Sequence, residues 1–147
     1  MLRKKLQKNK KNNILMLRKV VYSMFTWIKG NANASILTFS TTNITLNSSA
    51  AGYFRDVRWC MVGLDHKTNC LAIKPVSKRE VDLALVDADH LHKISIGNGY
   101  ARITSKAMMQ EINNMVSCII DGCKVRASFC EESNMMIADL NNLIKVK

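Results

Sequence analysis

Apolar and polar residues alternate, cluster and alternate again along this chain, and each change of period marks an element. Residues 35–40 (SILTFS) alternate as a strand does, and residues 43–46 (NITL) continue extended. Asn47 is a good helix N-cap, since its side-chain oxygen can accept from a first-turn N–H that lacks a partner inside the helix. It predicts a helix over 48–54 with Ala50, Tyr53 and Phe54 on one face, kept short by Gly52. Residues 57–65 (VRWCMVGLD) read as an almost wholly apolar strand covered on both faces. A turn at 66–69 returns the chain as a strand over 70–76 (CLAIKPV) that ends at Pro75, the chain's one proline.

The same order then recurs. Residues 93–96 (KISI) predict a strand, Gly97-Asn98-Gly99 a turn, and residues 100–104 (YARIT) the next strand. Ser105 caps a helix whose apolar face is Met108, Met109, Ile112, Met115 and Val116. Strand character resumes at 118–120, turns at Asp121-Gly122, and runs over 123–130, where Val125, Ala127 and Phe129 alternate against Lys124, Arg126 and Ser128. A turn at 131–134 precedes a last strand over 135–140 (MMIADL). Laid together, Ile44-Thr45 matches Ile103-Thr104, Ala50 matches Met109, Tyr53 matches Ile112 and Asn69 matches Asn134. The expectation is one α+β domain over 24–147, made of two similar halves at about 32–76 and 93–140.

Residues 1–23 differ from the rest. They hold Arg3, Lys4, Lys5, Lys8, Lys10, Lys11, Arg18 and Lys19 and no acid. From Leu17 to Ile28 apolar residues fall at helical spacing, so a basic amphipathic helix is predicted there. The uncharged run from Val20 to Ile28 is far short of the roughly 20 residues that a spanning helix needs. Arg18 and Lys19 also interrupt the apolar region of a secretory signal. Three readings stay open: the leader lies on an anionic membrane or a nucleic-acid backbone, it packs on the body, or translation starts at Met16 or Met24.

The leader also changes what the net charge means. The 147 residues carry 22 Lys and Arg against 11 Asp and Glu, a net +11. Setting the leader's eight cations aside leaves 14 against 11, so the body is only +3. At 48% hydrophobic and 22% charged the composition is that of a globular domain, which excludes wholesale disorder. The five cysteines are odd in number and no export signal precedes them, which points to free thiols in a reducing, cytoplasmic compartment. Their spacings are not the Cys-x2-Cys knuckles of structural zinc, and they read as core residues.

Catalytic chemistry finds little support. The sequence has no Gly-x-Ser-x-Gly elbow, no phosphate-binding Gly-x4-Gly-Lys loop and no His-Glu-x2-His pair. Cys60 and Cys118 sit in apolar runs that raise a thiol's pKa. Asp87, Asp89, His90 and His92 have the chemistry of metal ligands, but the simpler reading is a polar linker between the halves. No catalytic residue, metal or cofactor is therefore expected. For nucleic acid, the candidates are Arg55 and Arg58 after the first helix and Arg102 and Lys106 flanking the second, at comparable places in the two halves.

The strand ending Ile-Thr-Leu-Asn, the short capped helix and the hairpin ending Ile-Lys-Pro resemble the swapped-hairpin module of AbrB- and MraZ-type transcription factors, and two modules in one chain resemble MraZ most. The resemblance implies a small interlaced β-barrel built from both halves and DNA as ligand through basic residues near each module's first strand and helix. Because the body is only +3, tight recognition of DNA would need a homodimer to double the face. The run of WIKGNA, ITLN, MVGLD, LAIKP and HKISIG…YARI also resembles small uncharacterised proteins of Gram-positive bacteria over residues 27–140. The competing expectation is a protein-interaction or structural module whose leader contacts a membrane surface or a partner.

Overall fold

The alternating segments close into a barrel. Strands β1 (Ser35–Phe39), β2 (Asn43–Leu46), β3 (Trp59–Asp65), β4 (Cys70–Val76), β5 (Leu91–Gly97), β6 (Tyr100–Thr104), β7 (Cys123–Cys130) and β8 (Met135–Asp139) form an antiparallel ring in the computed structural model. The order is β1-β2-β6-β5-β3-β4-β8-β7, with β7 pairing back to β1. Closure satisfies the edge N–H and C=O groups that an open sheet leaves for solvent or for another chain. A short β9 (Ile144–Lys145) pairs with the start of β7. Three helices interrupt the strands: α1 (Ser48–Ala51, continued by a 3-10 turn at Gly52–Phe54), α2 (Lys78–Asp82) and α3 (Lys106–Val116).

Period-two alternation puts one set of side chains inside. Leu37, Phe39, Ile44, Leu46, Leu71, Ile73, Ile103 and Met136 point inward and are all but fully buried. Each contributes about 1.5–3 kcal/mol of apolar burial. Ala50, Ala51 and Phe54 of the first helical segment and Met108, Met109 and Ile112 of α3 join the same core. α1 packs on β1, β2 and β6.

Exchanging β1–β4 with β5–β8 leaves the set of ring pairings unchanged, and the register follows. Phe39↔Ile44 corresponds to Ile94↔Ile103, Thr38↔Lys124 to Lys93↔Trp59, and Asp65↔Cys70 to Cys130↔Met135. Ile44↔Ile103 and Ala72↔Ile137 correspond to themselves. The hairpin turns agree as well: Asn69 at φ 57° and Asn134 at φ 52° hold the left-handed position, which asparagine tolerates better than most residues. In the first turn the Lys67 N–H, donating to the Asp65 carboxylate at 3.0 Å, is the main cause holding that carboxyl below its ordinary range.

The helix caps shift one match by a residue. Asn47 accepts from the Ala50 N–H and Ser105 from the Met108 N–H, so Ala50 stands with Met108 and Phe54 with Ile112. Tyr53, expected to match Ile112, is instead 47% exposed and stacks on Phe129 at 4.2 Å between ring centres. Asn47 does more than cap. Its Oδ1 also accepts from the Ile36 N–H, and its Nδ2 donates to the Ala34 carbonyl at 2.8 Å, tying the helix to the entrance of β1.

Other expectations are corrected. β3 is not covered on both faces, because Trp59, Gly63 and Asp65 alternate outward to solvent. Residues 118–120 are not a strand: Ser117 at φ 58° ends α3, and the Asn113 side chain accepts from the Ile120 N–H. Residues 78–82, between the two expected halves and assigned no element there, form α2, started by Ser77 accepting from the Glu80 N–H. β4 runs one residue past Pro75, where pairing with β8 has already stopped at Ile73.

Residues 23–28, 30 and 34–145 are described in this structure. The chain divides into two compact units, Met1–Asn31 and Ala32–Lys147. The basic run of residues 1–22 lies outside the described residues. Of the amphipathic stripe, Met24, Phe25 and Ile28 are described and all are exposed, as is the neighbouring Trp27. No helix among the described residues is long and apolar enough to cross a membrane.

Candidate nucleic-acid interface

The barrel wall is electrostatically divided, and sequence order alone hides the division. The five contiguous strands β7-β1-β2-β6-β5 contain no Asp or Glu, and they carry Lys93, Arg102, Lys124 and Arg126. The remaining strands of the ring, β3, β4 and β8, carry one cation, Lys74, against two acids, Asp65 and Asp139. All four cations of the first wall occupy outward, exposed positions. Register sets two of them in one lateral row: Lys124 opposite Thr38, Thr38 opposite Thr45, Thr45 opposite Arg102, and Arg102 opposite Ser95. Cations separated by hydroxyl residues on an extended face form a surface for a polyanion, since hydroxyls can donate to phosphate without adding charge.

Arg102 is the best-positioned member. Its Nε donates to Thr45 Oγ1 at 3.4 Å, and its guanidinium carbon stands 5.3 Å from the centre of the Tyr100 ring. The Tyr100 ring in turn lies across Gly97, and a Cβ there would push this exposed ring aside, so the glycine leaves room for Tyr100 beside Arg102.

The four residues expected from sequence do not form one symmetric set. Arg55 lines a cavity of about 210 Å³ with Ser48, Gly99 and Tyr100, so Tyr100 joins Arg55 to Arg102. Arg58 lies elsewhere, lining a cavity of about 350 Å³ with Asp56, Trp59, Lys78 and Asp82, where charges of both signs meet. Lys106 is the exposed first residue of α3. By register the counterpart of Arg102 is Asn43 and that of Lys124 is Trp59, so the cationic wall belongs to one side of the exchange only. Lys93, Lys124 and Arg126 were not among the expected residues. The alternation of Lys124 and Arg126 is readable in β7, but Lys93 stands as the single Lys or Arg of β5 and joins them only through strand pairing.

Other chemistry-bearing groups are accounted for locally. Asp87 accepts from the Asp89 N–H and caps a 3-10 turn at Ala88–His90. His92 lines a cavity of about 250 Å³ with Glu111 and Met108, and burial pushes its imidazole below the ordinary range against the pull of the Glu111 carboxylate. Among the described residues no three His, Cys, Asp or Glu side chains converge as metal ligands.

The cysteines separate into three classes by exposure, which corrects the expectation that all are core. Cys60 and Cys123 are buried, Cys70 and Cys130 half-buried, and Cys118 exposed. Hydrogen bonds from the Ser133 side chain, and then from the Ser133 and Glu132 backbone, hold the Cys130 thiol below its usual range. A thiol reagent at neutral pH should therefore modify Cys118 and Cys130 first in the native protein and Cys60 last, with all five reacting after unfolding. Mass mapping of the modified peptides checks the order. Early labelling of Cys60 would mean that the barrel opens locally.

No protein-family model matches this chain, and no curated protein or solved structure matches it significantly.

Proposed function

We propose that this protein is a non-enzymatic DNA-binding module related to the AbrB- and MraZ-type swapped-hairpin proteins, its two halves being copies of one strand–strand–helix–strand–strand unit. The observation that carries the binding reading is the acid-free five-strand wall with Lys93, Arg102, Lys124 and Arg126 turned outward. The cross-half pairings and their symmetric register support the relationship to a swapped-hairpin module. Phosphate contacts made by such a wall supply affinity by releasing counterions, and they carry little base information by themselves. The asymmetry of the charges means that one chain offers a single face. A homodimer would present two.

The test is a salt-titrated anisotropy measurement with labelled DNA and three proteins: the full chain, a chain starting at Met24, and Arg102→Ala/Lys124→Ala. The Met24 chain should retain binding, and the double variant should lose about 0.9 from the salt slope per phosphate contact removed. Binding that disappears with residues 1–23 would assign affinity to the leader. The interaction-module reading, in which the exposed Met24, Phe25, Trp27 and Ile28 meet a membrane or partner, would then take its place.

A further inference from the structure

We infer that the strip across β6, β5 and β3 is a stacking surface that selects single-stranded over duplex DNA; this rests on reading the cationic wall as a DNA-binding face. Two large aromatic side chains stay open on this strip. Tyr100 is 40% exposed and Trp59 is 37% exposed, although both belong to strands whose inner faces are buried. Each stands beside a cation: Arg102 lies 5.3 Å from the Tyr100 ring centre, and Lys93 is the direct cross-strand partner of Trp59. Arg102 is opposite Ser95, and Tyr100 is opposite Gly97, so aromatic and cationic residues interleave on one outer surface. Strand geometry puts Tyr100 and Trp59 about 17 Å apart, two strands across and four residues along, a distance that a few nucleotides span.

That pattern fits unpaired bases. In a duplex the base faces are covered by their neighbours, and an aromatic ring on a sheet surface meets only the backbone. A single strand exposes each base face, so Tyr100 and Trp59 can take stacked bases while Arg102 and Lys93 meet the intervening phosphates.

The experiment measures binding of the full chain to fluorescein-labelled dT20 and to a 20-base-pair duplex of mixed sequence at one low salt concentration. The expected result is that dT20 binds at least about 10-fold more tightly than the duplex. Tyr100→Leu and Trp59→Leu, which keep an apolar cover but remove the π face, should each weaken dT20 binding by roughly 5- to 150-fold, and Trp59→Leu, which lies outside the cationic wall, should leave the duplex within about 2-fold. A Trp27→Phe background leaves Trp59 as the sole tryptophan, and its emission should be quenched by dT20; this readout does not depend on how well the leucine variants fold. Equal or tighter binding of the duplex, or dT20 affinity unmoved in both leucine variants with Trp59 unquenched, overturns strand selection while leaving the wall as a general polyanion surface. If neither DNA binds, the wall reading falls as well.

Discussion

Phe54→Ala should lower the free energy of unfolding by about 3–5 kcal/mol, a large share of the ~5–15 kcal/mol typical of a domain. Phe54 is fully buried and ends the 3-10 turn that follows α1. The other buried residues of that segment are Ala50 and Ala51, so one ring supplies most of the volume that the segment delivers to the core. The compensating collapse available to a closed barrel is small, because each strand is held on both sides by its register. The adjacent Tyr53→Ala, which removes an exposed ring stacked on Phe129, should cost only about 1 kcal/mol. Urea titration of the two variants checks the contrast. A Phe54→Ala loss below that of Tyr53→Ala would mean that the segment does not plug the barrel.

Alkaline pH should destabilise the protein through Cys60. Burial pushes its thiol from 9.0 up to about 12, so the folded state holds the proton while the unfolded chain releases it. The sign follows from proton counting: a raised folded pKa contributes stability that is complete below the unfolded value and is lost as pH rises through the folded one. The loss should begin near pH 9 and accumulate at about 1.4 kcal/mol per pH unit, to about 4 kcal/mol near pH 12. Other groups also titrate in this window, so the measurement is the difference between the wild type and Cys60→Ala. Cys60→Ala should be less stable at neutral pH, from lost packing, yet show a shallower decline above pH 9. Parallel declines in the two proteins would contradict the account.

Local elements were legible because their signals are local. Asn47 and Ser105 announced helices through capping chemistry that needs only the next three residues, and both caps form. The alternation of Leu37 with Phe39, and of Val125 against Lys124 and Arg126, gave strands and their inner faces. Where a local signal was ambiguous, tertiary context decided. The apolar run at 118–120 looked like a strand, but Ser117 turns left-handed, Ile119 is 77% exposed and Ile120 alone enters the core. The helix at Lys78–Asp82 contributes no buried residue and so left no apolar period to find. Pairing was the least legible feature, since nothing near Thr45 in sequence says that it faces Arg102. For that reason the candidate site was only partly found. Arg102 was picked for its place beside a helix, whereas Lys93, Lys124 and Arg126 become members of one wall only after β7, β1, β2, β6 and β5 are put side by side.

The claim that this wall is the DNA-binding face is tested most directly by following the backbone amide resonances of the isotope-labelled full chain as labelled DNA is added at low salt. The account predicts that the largest shifts fall on Lys93, Ser95, Arg102, Thr45, Thr38 and Lys124, with little change at Ala72, Lys74 and Ile137 on the opposite wall. Shifts centred on β4 and β8, or confined to residues before Ala32, would contradict it.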